Sequence, residues 1–283
     1  MEINYVIALT IGVIGSAVIH FSQGLMQLGI RRMAGQTSSS RTRLIYGIGV
    51  TLNLTAPLWV ILANRFGPTV LYTSMYAAGI IVLMVFSSIK LGHKIRPRDL
   101  VGAAFLIAGT VLLGIDGLTG DSLDMSTLNP YPLLVLGVAA MTMIWPLDQL
   151  GRRYINIPRG VLFGLLGGMF LALDSLLKGV AQYDTGSAAF LPSTSFGLTL
   201  FLLSFIGAAG ALGMTQLAHY RNARASETIA GYGYDAAYVG LPVLILPAIA
   251  EGQAGVSVIC TIGLLALGIG IYGLTGGREK LNE

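Results

Sequence analysis

Long apolar runs and short polar connections alternate along the whole of this chain. Runs with few or no charged residues lie at Tyr5–Ile30, Leu44–Asn64, Pro68–Ile89, Leu100–Ile115, Tyr131–Leu147, Gly160–Gln182, Phe196–His219, Thr228–Ala250 and Gly255–Thr275. A helix crossing ~30 Å of hydrocarbon needs about 20 residues, so each run has roughly the dimensions of a transmembrane helix. A β-barrel would instead show segments of about 10 residues with alternating polarity, whereas these runs are continuously apolar. The charged turn Leu91-Gly-His-Lys-Ile-Arg-Pro-Arg-Asp99 divides the third run cleanly from the fourth. The pattern predicts an all-α integral membrane protein: one transmembrane domain over residues 1–283, a polytopic bundle of about nine transmembrane helices.

Composition agrees with the pattern. Hydrophobic residues make up 54% and charged residues 11% of the chain, against about 25% charged in an ordinary soluble protein, which leaves no room for a soluble domain. The start, Met1-Glu2-Ile3-Asn4, lacks the basic region of a secretory signal, so the first run is expected to stay as a span. Cys260 is the single cysteine and sits in the last run, where it is read as a small packing residue.

Charge sets the expected orientation. Arg31, Arg32, Arg41, Arg43, Lys90, Lys94, Arg96, Arg98, Arg152, Arg153, Arg159, Arg221, Arg224, Arg278 and Lys280 fall in alternate connections or the C-terminal tail. The opposite side has only Arg65, with Lys178 near a span end. The positive-inside rule then places the N-terminus outside and the C-terminus in the cytoplasm of a multi-pass cell-membrane protein. This asymmetry accounts for the net charge of +4 and argues against nucleic acid as a partner.

The layout repeats. Residues 1–117 hold four spans, 131–150 a linker span, and 160–275 four more on the same plan. In the first half, Asn64-Arg-Phe-Gly-Pro68 links two spans closely; in the second, Glu251-Gly-Gln-Ala-Gly255 precedes a Gly-rich last span. Equivalent spans are five crossings apart, an odd number, so the halves enter the membrane from opposite sides. An inverted repeat (4 + 1 + 4) follows, the layout on which secondary transporters alternate access to a midplane site.

Ionisable groups within spans carry the functional expectations, because an Asp near a helix centre costs about 2.5–3.5 kcal/mol to insert. Asp174 lies about 14 residues, or ~21 Å, into the sixth run, and Asp235 about 7 residues, or ~10 Å, into the eighth. Asp174 and Lys178 are spaced i,i+4, which permits an internal salt bridge. Asp235 has no such local partner; it follows Ala230-Gly-Tyr-Gly-Tyr234 and shares its run with Pro242 and Pro247, which predicts a kinked or unwound helix lining a cavity. Asp235 is the first choice for a substrate or proton site, with Tyr232 beside it. His20 sits mid-run with Gln23 and Gln27 on the same face, and Asn53, Pro57, Tyr72, Ser74 and Tyr76 extend this polar seam. Asp116 and Asp148 lie toward span ends and read as interfacial. Gly160, Gly164 and Gly168, and likewise Gly207, Gly210 and Gly213, allow close helix approach, internally or in a homodimer.

The turn at residues 91–99 followed by Leu100-Val-Gly-Ala-Ala-Phe-Leu-Ile-Ala-Gly-Thr-Val-Leu-Leu113 resembles the short turn and glycine-patterned fourth helix of the drug/metabolite transporter superfamily. Ala63-Asn-Arg-Phe-Gly-Pro-Thr-Val-Leu71, Leu177-Lys178-Gly179, and Thr215-Gln216 with Tyr220 and Asn222 are similar to motifs of its NIPA-type magnesium transporters. The resemblance implies a secondary transporter of a small polar or cationic solute, with Mg²⁺ as one expected substrate; the buried carboxylates of Asp235 and Asp174 are the residues expected to hold such an ion. An amino acid or other small metabolite is the alternative. No G-x-x-x-x-G-K-[ST] loop is present, so an ion or substrate gradient is expected to drive it, with no resident cofactor. Tyr234-Asp235 also resembles half of an intramembrane aspartyl protease signature, but Leu171-Ala-Leu-Asp174 lacks the glycine-containing partner motif, so no enzyme is expected. A structural or regulatory membrane subunit is the third reading, one that gives buried acids little purpose.

Overall fold

The computed structural model describes residues 3–34, 39–92, 94–119, 129–153, 159–184, 189–221, 234–235, 237–242 and 257–275, and among them every regular element is helical. The first run forms α1, Ile3–Ala34, which ends on Arg31 and Arg32, where cations complement the helix dipole. The Arg31 guanidinium donates to the Leu91 carbonyl at 2.7 Å, tying the end of α1 to the end of the third run.

The second and third runs are broken helices. α2, Ser40–Asn53, starts on Ser39, whose hydroxyl accepts from the Thr42 amide at 3.2 Å, and α3, Ala56–Asn64, resumes after two residues. The break falls just before Pro57, which lacks an amide hydrogen and would clash with the Asn53 carbonyl one turn back. The third run comprises α4, Thr69–Ser74, a 3₁₀ turn at Tyr76–Ala78, and α5, Gly79–Leu91. Gly92 stops α5 at φ +72°, a left-handed conformation that glycine adopts without penalty.

The remaining elements are α6, Pro97–Thr119; α7, Tyr131–Arg153; α8, Arg159–Gln182; α9, Ser195–Arg221; and α10, Val258–Thr275. Residues 234–235 and 237–242, here the Asp235 segment, are also helical. Among the described residues, seven helices, counting each broken run as one, are long and apolar enough to cross a membrane, and α10 adds a shorter apolar helix. The protein is thus a multi-pass membrane helix bundle. Most of the eighth predicted run, Thr228–Ala250, lies outside the described residues, as does Tyr232.

Burial ranks the spans. In α8, 89% of the apolar window is buried, against 11% in α7, so α8 is the central post and α7 a peripheral helix facing lipid. α8 packs on α9, α1 on α2 and α5, and α6 on α10. The α6/α10 pair is antiparallel along its whole length: Arg98 at the start of α6 lies over the Tyr272 ring, and Asp116 near its end accepts from Ser257 at the start of α10. Between these points a side chain at Gly102 would meet the Gly270 carbonyl at 3.0 Å, and one at Gly109 the Gly263 carbonyl at 2.7 Å. Glycine's missing Cβ is what lets these backbones touch.

Candidate functional site

Burying a charge in a helix bundle is costly unless it finds a partner, so each intramembrane acid can be followed to the group that answers it. Asp235 is answered by His20 across 215 positions of sequence. The imidazole Nε2 lies 3.0 and 2.9 Å from the two carboxylate oxygens, and both side chains are fully buried. His20 Nδ1 lies 2.8 Å from the Ser16 carbonyl one turn earlier in α1. A carbonyl only accepts, which assigns a hydrogen to Nδ1 and leaves one hydrogen between Nε2 and the carboxylate.

Ser16 completes this end of the site. Its hydroxyl donates to the Tyr76 carbonyl and accepts from the Gly79 amide at 3.0 Å. The same two groups close the 3₁₀ turn on each other, so a side chain of α1 braces the turn at its hydrogen-bonded ends. The fit allows no side chain at position 79: a Cβ there would strike the His20 ring and Ser16.

Around the pair is a buried tyrosine cluster. The Tyr76 ring lies 5.1 Å from His20, 4.4 Å from Tyr238 and 6.1 Å from Tyr234, and Tyr72 lies 6.4 Å from both Tyr76 and Tyr238. Edge-to-face contacts at these spacings are favourable in themselves. Tyr238 shares a 2.8 Å hydrogen bond with Ser175 of α8, while the Tyr72 and Tyr76 hydroxyls are buried and, among the described residues, meet no partner in good hydrogen-bond geometry. The Asp235 segment reaches α8 over Gly168, where a Cβ would collide with the Tyr234 carbonyl.

The other expected site residues are placed as follows. Gln23 is buried one turn past His20, and among the described residues neither its amide nitrogen nor its oxygen has a partner. Asn53 donates to Ser22 at 3.1 Å and so ties the break in the second run to α1, away from the carboxylate. Asp174 forms the i,i+4 ion pair with Lys178 inside α8, and the ammonium also donates to Ser204 of α9 at 2.8 Å. Lys178 lies 4.1 Å over the Phe205 ring, and Gly207 brings α9 against Asp174. Asp174 thus meets α9 and Asp235 meets α1; among the described residues no three His, Cys, Asp or Glu side chains gather as one metal-binding group.

Sequence reasoning missed Ser16, Gly79 and Tyr238. Ser16 lies four residues before His20 on the same face, which was a usable signal; Gly79 had none. No known protein family, curated protein or solved structure matches this chain.

Proposed function

We propose that this protein is a secondary transporter that moves a small polar or cationic solute by alternating access around the His20–Asp235 pair. The observation that carries this reading is the pair itself: two fully buried ionisable groups, from the first and eighth predicted runs, meeting beside a broken helix. Ionisable residues at membrane depth mark solute and ion pathways, and irregular backbone is tolerated there where it is buried in protein or lines a cavity. The tyrosine faces and buried hydroxyls nearby provide recognition groups for a cation or zwitterion.

The inverted repeat supplies the motion. Antiparallel packing of α6 and α10, the fourth and ninth predicted runs, is what a 4 + 1 + 4 plan requires of that pair, and the glycines between them suit two halves that rock against each other. The resemblance to NIPA-type transporters extends the reading to hydrated Mg²⁺, held through a single carboxylate with its waters retained. An amino acid or other small metabolite, carried by an exporter of the same plan, is the alternative solute.

Thermal unfolding of the purified protein against Mg²⁺, other divalent ions, amino acids, amines and small metabolites tests the reading, because a ligand of the native state raises its stability by mass action. One chemical class is expected to stabilise the parent and to lose its effect in Asp235→Asn. Equal stabilisation of both proteins would overturn the site.

A further inference from the structure

We infer that Ser16 is a latch between the first and third runs, the positioning residue through which the state of Asp235 reaches the break at Tyr76–Ala78. This rests on the transport reading for its purpose, and on geometry for its existence. Four contacts run in series. Asp235 holds His20 Nε2, His20 Nδ1 holds the Ser16 carbonyl, the Ser16 hydroxyl holds the Tyr76 carbonyl, and the Gly79 amide holds that same hydroxyl.

The series joins three separate stretches of chain through two residues of α1 one turn apart, Ser16 and His20. It also leaves no slack, since the space a Cβ would need at Gly79 is already filled by His20 and Ser16. A solute taking the Asp235 carboxylate must displace His20 from both oxygens. The imidazole then moves against Ser16, and the hydroxyl releases the break. Elements with two discrete arrangements transmit such a change because close-packed interiors do not deform continuously. Ser16 touches no solute in this scheme; it decides whether the third run stays bent against α1.

Side-specific alkylation tests this without knowing the solute. A cysteine placed at buried Ala77, in the 3₁₀ turn, reports opening of the break, while native Cys260, buried in α10, reports global opening. Both are read in one full-length protein in sealed proteoliposomes, by mass spectrometry after a membrane-impermeant maleimide. In Ser16→Ala, which loses two hydrogen bonds, labelling of position 77 is expected to rise at least about tenfold with Cys260 unchanged. Gly79→Ala, which pushes His20 and Ser16 apart, should do the same and decides the matter if Ser16→Ala does not fold. Parallel rises at both cysteines, or no rise at position 77, would overturn the latch. Absence of flux for every solute alongside a selective rise at position 77 would sink the transport reading and leave the latch standing.

Discussion

Among the described residues, the buried ion pairs His20–Asp235 and Asp174–Lys178 differ in nearly everything except burial. Asp174 and Lys178 are one turn apart on the unbroken helix α8, braced by Ser204 and an aromatic ring of α9. His20 and Asp235 come from distant parts of the chain and meet where the third run is interrupted. A pair made within one helix travels with that helix as a rigid unit. A pair made between helices must break when they part. The difference separates a scaffold, in which charge is neutralised locally, from a switch, in which neutralisation depends on the arrangement of the bundle.

Substitutions on the two sides should therefore behave differently, and the largest effect falls on the scaffold. Lys178→Met leaves Asp174 buried without a partner and should cost about 3–5 kcal/mol in unfolding experiments, while Asp174→Leu combined with Lys178→Met recovers most of it. A stable single variant would show that the α8 pair is not structural. Next is Gly168→Ala, whose methyl group meets the Tyr234 carbonyl; overpacking there should cost about 1–3 kcal/mol and impair ligand stabilisation through the displaced Asp235.

Asn53→Ala removes the bond to Ser22 and should cost about 1 kcal/mol, with ligand effects intact, since Asn53 lies away from the carboxylate. Smallest is Tyr76→Phe. Its buried hydroxyl meets no partner in good hydrogen-bond geometry among the described residues, so stability should change by no more than about 0.5 kcal/mol. A fall in solute affinity at unchanged stability would sharpen the comparison by assigning that hydroxyl to recognition.

The two pairs also differ in how readily sequence betrays them. Helical periodicity puts Asp174 beside Lys178 from spacing alone. No local rule connects His20 with Asp235, because that contact is set by how the spans assemble. The same contrast governs the helix breaks. Pro57 announces the one in the second run by its missing donor, whereas the interruption at Tyr76–Ala78 has no proline and is held from outside by Ser16. The positions of the seven long apolar helices among the described residues were legible because hydrocarbon thickness imposes a length on each of them. Which acid is paired locally and which across the bundle was legible only for the local case.

The central claim is that the interhelical pair, rather than the intrahelical one, handles the solute. The most direct test is flux in proteoliposomes of the solute that stabilises the parent, measured for Asp235→Asn and for Asp174→Asn, each with an unfolding curve to show that it is folded. The account predicts flux indistinguishable from empty vesicles for Asp235→Asn and substantial flux for Asp174→Asn. Parental flux in a folded Asp235→Asn protein would contradict it.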